Sequence, residues 1–140
     1  MLIAIRISGD VNIPEKLRES LFRLRLRRKY SAVLLKPTNE NQKLLLNIRN
    51  LIAFGDIDEP TLTLLIQKRG IPKKKNSKID AKKIISELEK KPIADLDIKP
   101  FFRLHPPRGG IDSKKHFGIS KKAVLGDNKE KINDLVRRML

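Results

Sequence analysis

Apolar residues along this chain recur with two periods, and the changes of period mark the elements. Ile3, Ile5 and Ile7 alternate with Ala4 and Arg6, the period of two expected of a strand with one strongly buried face. Gly9-Asp10 breaks the run. Asn12 and Glu15 stand three apart, as in a capping box, with Pro14 in the first turn, where its missing N–H costs little. Leu17, Leu21 and Leu24 then fall at i, i+4 and i+7, the inner face of a helix. Ala32-Val33-Leu34-Leu35 reads as a short buried strand ended by Lys36-Pro37. A second helix is predicted from about Asn39, with Leu44, Ile48, Leu51 and Ile52 inward, and Phe54-Gly55-Asp56-Ile57 is a candidate third strand. Residues 1–58 are thus expected to form a βαβαβ unit of ferredoxin-like type.

Beyond that unit, Asp58-Glu59-Pro60-Thr61 is a helix start with an acidic first turn. Leu62, Leu65 and Ile66 form its apolar side, and Lys68-Arg69-Gly70 gives a basic last turn and a stop. Residues 71–78 are a basic loop, Asp80 caps a helix with Ala81, Ile84, Ile85 and Leu88 inward, and 92–100 is a Pro-bounded linker. From Phe101 to about Ser120 the periodicity fades among Pro106-Pro107, Gly109-Gly110 and Gly118. That stretch is expected to be an extended arm, mobile alone and ordered by a partner. Ile132, Leu135, Val136 and Met139 restore the helical spacing for a tail helix. The fold class expected is α+β: a three-stranded antiparallel sheet packed by helices (1–58), a helical extension with a basic loop (59–100), and an arm with a C-terminal helix packed on the core (101–140).

Charge changes the picture from a fold to a binding protein. The chain has 32 Lys+Arg against 16 Asp+Glu, a formal net charge of +16. Solubility asks for a magnitude of only about 2–8 in a small domain. The excess repels itself unless a polyanion neutralises it, so nucleic acid is the expected partner, ahead of a membrane surface or an acidic protein. With no cysteine, disulfides and thiolate metal sites are excluded. No apolar run approaches the ~18 residues of a membrane span, the pattern expected of a soluble intracellular protein.

The cations are clustered. Arg23, Arg25, Arg27, Arg28 and Lys29 close the first helix and lead into the second strand. Some of this complements the helix dipole, but the block exceeds any capping need, and the planar fork of Arg grips phosphate oxygens in pairs. Lys68, Arg69, Lys73, Lys74, Lys75 and Lys78 make a second cluster, which alone could be a solvated loop. The arm carries a third: Arg103, His105, Arg108, Lys114, Lys115 and His116. There Gly109 and Gly110 would let backbone approach a phosphate chain closely. Arg137 and Arg138 add charge to the tail helix. Single-strand readers present aromatic platforms, whereas this chain has one Tyr, no Trp and five Phe. Folded RNA gripped by backbone and shape is therefore favoured over base reading on the sheet.

Catalysis finds little support. His105 and His116 could act as acid and base in RNA cleavage, but a His in a basic arm more often contacts backbone or phosphate. No HExxH, P-loop or GxSxG signature occurs. An RNA-processing endonuclease and a nucleic-acid-coating protein remain the alternatives to a structural RNA binder.

The stretch Ala53-Phe54-Gly55-Asp56-Ile57-Asp58-Glu59-Pro60-Thr61-Leu62, with Lys68-Arg69-Gly70, resembles the L-thirty family of large-subunit ribosomal proteins. Phe102-Arg103-Leu104-His105-Pro106-Pro107-Arg108-Gly109-Gly110 and the ending Asn128 to Met139 are similar to its longer archaeal form, which is related to the eukaryotic large-subunit protein L-seven. The chain departs from that pattern at Gly126-Asp127-Asn128 and in the Lys-rich 71–79 loop. The resemblance implies a cytoplasmic structural constituent of the large subunit. It would be bound to large-subunit ribosomal RNA, with the small 5S RNA and neighbouring ribosomal proteins as further contacts. It implies no catalysis, cofactor, membrane or small-molecule substrate.

Overall fold

A strand buried on both faces organises the fold. The computed structural model describes residues 1–140, and in it β1 (Leu2–Arg6) lies between β2 (Ser31–Leu35) and β3 (Ile52–Asp56), antiparallel to both. α1 (Glu15–Arg23) and α2 (Asn39–Asn47) connect these strands. α3 (Glu59–Arg69), α4 (Ala81–Leu88), β4 (Phe102–Arg103), β5 (Asp112–His116), β6 (Ala123–Asp127) and α5 (Ile132–Met139) follow. The sheet has six strands in the order β4-β2-β1-β3-β6-β5. The α+β class and the ferredoxin-like βαβαβ unit are as expected. The sheet is larger than the three antiparallel strands expected and is mixed, because β6 runs parallel to β3 and β5 parallel to β6 through a bulged register.

Alternation along β1 sorts the core into two layers. Leu2 and Ala4 pack with Leu21, Leu26, Leu45 and Ile48 under α1 and α2. Ile3, Ile5 and Ile7 join Leu62, Leu65, Ile66, Ile84, Leu88, Ile132, Leu135, Val136 and Met139 under the later helices. One strongly buried face was the expectation for this strand. Both are buried because the extension and the tail cover what α1 and α2 leave open.

The local signals fare unevenly. α1 starts after Pro14 with no side-chain cap, and Asn12 sits at φ 58, so the capping box does not form. α2 is capped by Thr38, buries Leu45 rather than Leu44, and ends before Ile52, which belongs to β3. α3 begins as expected: Asp58 accepts the Thr61 N–H at 2.8 Å. The Asp58 carboxyl is held below its ordinary range chiefly by the Thr61 hydroxyl beside it. The Thr61 N–H and the Arg137 charge act the same way, against partial desolvation. Asp80 caps α4 through the Lys82 and Lys83 N–H groups.

Two segments expected outside the core are in it. Leu96 and Ile98, in the 92–100 linker, are buried, and Ile98 forms a bridge with Pro72. The arm is held at its root: Phe102 and Leu104 are buried, β4 pairs with β2, and the His105 N–H donates to the Met139 carbonyl at 2.9 Å. Gly55 lets α5 dock, since a Cβ there would lie 2.3 Å from the Lys129 carbonyl oxygen. The buried Asn133 of α5 accepts the Asp58 N–H at 2.9 Å and donates to the Asp56 carbonyl at 3.3 Å, fixing the β3–α3 corner.

Candidate nucleic-acid interface

The end of α1 sets the geometry of the first basic cluster. Leu26 N–H donates to the Leu21 carbonyl at 2.9 Å and Arg25 N–H to the Phe22 carbonyl at 3.0 Å, the paired bonds of a Schellman motif. Leu21 and Leu26, the apolar pair that accompanies such a motif, are both fully buried. The residue in the left-handed position is Arg25, at φ 64, where glycine is usual because a Cβ there costs roughly 1–2 kcal/mol. The chain thus carries strain at the residue that turns its side chain toward the other arginines.

The loop that follows is held from beneath by Arg6, which is 0% exposed. One Arg6 terminal nitrogen donates to the Leu26 and Arg27 carbonyls at 3.0 and 2.8 Å. Its Nε donates to the Ser8 carbonyl at 2.9 Å, and its other terminal nitrogen reaches the Gly9 carbonyl and Asp10 Oδ1. This planar fork joins the β1–α1 and α1–β2 loops, and the partner carboxylate is largely in solvent. The arginines at the surface therefore stand on a backbone fixed by a buried arginine.

Pairing of β4 with β2 sets Arg103 opposite Ser31 and so merges the first cluster with part of the third. Together they line a cleft of about 520 Å³ formed by Phe22, Arg23, Arg25, Arg27, Arg28, Ser31, Phe101 and Arg103. No carboxylate lines it. Arg23 is paired with Glu19 at 2.8 Å, with both side chains exposed, a pair that water screens to little value. Arg103 lies over the Phe101 ring, 5.7 Å from its centroid. Only three ion pairs occur in the chain, so most of its 32 basic side chains have no acidic partner within the protein.

The other expected residues are spread more widely. Lys29 is exposed with its ammonium 5.1 Å from the Tyr30 ring centroid. Lys68 is exposed and Arg69 half-buried at the end of α3. Lys73 is engaged locally, donating to the Ala94 carbonyl at 2.5 Å, while Lys74, Lys75 and Lys78 are exposed. His105 and Arg108 are exposed beyond β4, and Gly109 and Gly110 adopt φ 79 and 75, the left-handed region that glycine allows. Their loop is held by Arg138, which donates to the Arg108 and Gly110 carbonyls. Lys114 and Lys115 share a shallow depression with Lys121 and Lys122, and Lys115 lies 3.6 Å from Asp112. His116 is half-buried on β5. Arg137 sits among Asp56, Asp58, Glu130 and Asp134, an acidic setting unlike that of the cleft.

Five contributors are not among the residues expected from sequence: Phe22, Ser31 and Phe101 in the cleft, and Lys121 and Lys122 beside β5. Phe22 was legible as an aromatic off the 17-21-24 stripe, and the two lysines as a basic pair beside Lys114 and Lys115. No group of His, Cys, Asp and Glu side chains converges as a metal site, and no helix is long and apolar enough to cross a membrane.

No family model matches the chain. It is 36% identical, over the full length of both chains, to large ribosomal subunit protein uL30 of Methanobrevibacter smithii. Identity is 33% to the protein of that name from Methanococcus maripaludis, with 97% of each chain covered. It is 32% to that of Korarchaeum cryptofilum, across all of this chain and 95% of the relative.

Proposed function

The chain belongs to the uL30 family of large ribosomal subunit proteins, and on that premise we propose that this structural constituent of the large subunit holds folded ribosomal RNA through phosphate and shape contacts. The observation that supports this reading is the convergence of Arg23, Arg25, Arg27, Arg28 and Arg103 on one cleft without a carboxylate. Guanidinium groups fixed on a rigid backbone match phosphate oxygens with little further ordering. Gly109-Gly110 and the lysines of the β5–β6 region extend the footprint. Contacts with the small 5S RNA and with neighbouring ribosomal proteins belong to the same proposal.

The role is structural rather than catalytic. Neither His105 nor His116 lines the arginine cleft, and no observation favours the endonuclease. Sucrose-gradient sedimentation tests the reading: the protein should travel with the large subunit in high salt. Arg28→Ala with Arg103→Ala should reduce incorporation while leaving the melting temperature of the free protein nearly unchanged, since both side chains are exposed. If roughly six to ten phosphates are engaged, affinity for a duplex-like RNA should fall by about 10³–10⁵ between 50 and 200 mM salt. A duplex-like RNA bound equally well across that salt range, or a double variant that incorporates normally, would remove the phosphate grip.

A further inference from the structure

We propose that the arginine cleft receives one unpaired ribonucleotide of its RNA, the base stacked on Phe22 and the flanking phosphates held by the surrounding guanidinium groups. This rests on the RNA-binding reading above and names what that site selects.

Phe22 is 45% exposed, although α1 already has its core contacts in Leu17, Leu21 and Leu24. Of the other exposed large apolar residues, Val11, Leu46, Phe117 and Ile119, none lines the arginine cleft. The cleft thus places an unpartnered phenyl face among five guanidinium groups, a combination that a phosphate alone does not use. Its second flat surface is the Arg103 guanidinium backed by Phe101. Aromatic rings and guanidinium planes are the two surfaces on which proteins stack unpaired bases. The volume of about 520 Å³ falls within the range of about 300–1,000 Å³ typical of small-molecule sites. Paired bases cannot reach Phe22, because they are stacked on both faces and the A-form major groove is too narrow for side chains. A bulged or extruded nucleotide can.

The test compares two RNA hairpins of the same stem, one fully paired and one with a single extra adenosine in mid-stem, binding to the full-length protein. The natural protein should prefer the bulged hairpin by about 5- to 100-fold. Phe22→Ala should reduce that ratio to near unity, and Phe22→Trp should preserve it. Excess adenosine monophosphate should leave the preference intact. If it abolishes the preference, the cleft is a site for a free nucleotide instead. Equal binding of the two hairpins by the natural protein, or a preference that survives Phe22→Ala, overturns the inference. The phosphate reading stands in either case provided the paired hairpin binds with strong salt dependence. If neither hairpin binds, both readings fail.

Discussion

Residues Arg25–Lys29 and Lys73–Lys78 are both short basic loops that leave the C-terminal end of a helix, α1 in one case and α3 in the other. They differ in what lies beneath them. The first has a Schellman turn, the buried Arg6 fork under two of its carbonyls, and the β2–β4 pairing that brings Arg103 alongside. The second is pinned at its ends, by the Pro72–Ile98 bridge and the Lys73 N–H donating to the Asp97 carbonyl at 2.8 Å on one side and by the partly buried Ile79 on the other. Between them Ser77 donates its N–H and hydroxyl to the Lys74 carbonyl at 3.4 and 2.9 Å. From there Lys74, Lys75 and Lys78 extend into solvent. A run of cations becomes a surface when a buried donor beneath it and a paired strand beside it fix where the charges stand. Without that support it is a solvent-exposed source of attraction.

The largest effect should come from removing the support. Arg6→Ala leaves the Leu26, Arg27, Ser8 and Gly9 carbonyls without their donor and opens a cavity at a fully buried position. A cost of roughly 3–5 kcal/mol is expected, and at about 2–4 °C per kcal/mol for a chain of this size the melting temperature should drop by roughly 10 °C. Arg6→Lys should rescue little, since an ammonium cannot span the two loops as a planar fork does. Thermal denaturation decides it. A loss no greater than that of a surface lysine would mean that the arginine loop holds its shape unaided.

A smaller effect has opposite signs for the two properties. Arg25→Gly removes a side chain from the left-handed position and should stabilise the free protein by about 1 kcal/mol. The same change should weaken RNA binding, because it takes one guanidinium from the cleft. Strain of this kind is sustained where a side chain is needed for function. If Arg25→Gly binds RNA as well as the natural chain does, the strain has no role in binding.

The comparison also shows where sequence suffices. Elements fixed by local periodicity, β1 to β3 and the helices with their Asp58 and Asp80 caps, are readable because each signal lies within a few residues. The arm is harder. Phe102 and Leu104 are buried while Arg103 and His105 are exposed, which is a strand period, but it lasts four residues and is bounded by prolines. What makes it a strand is the free edge of β2, far away in the chain. Arg6 is hidden for a similar reason: its alternation with the isoleucines suggests solvent, and only the convergence of two loops gives it partners. The clusters of the site were legible as charge. Their merger was not, because it depends on the Ser31–Arg103 register.

The smallest effect belongs to the lysine loop. Lys74→Ala with Lys75→Ala alters two exposed side chains that make no ion pair, so stability should change by less than about 0.5 kcal/mol. RNA affinity should fall as well, but less than in Arg28→Ala with Arg103→Ala, the same number of charges. An ammonium on a flexible stem lacks the two-pronged geometry of a guanidinium, so although both side chains carry about 2 kcal/mol of rotamer entropy, lysine loses more of it per hydrogen bond formed. Each phosphate contact contributes about 0.7–0.9 to the slope of log affinity against log salt. The arginine pair should therefore lower that slope by about 1.5, if each contacts one phosphate, and the lysine pair by well under one. Titrating both variants with one RNA across a salt series measures the difference directly. Equal changes in slope would place the lysine loop in the footprint on the same terms as the cleft, and would show that backbone support does not decide which cations bind.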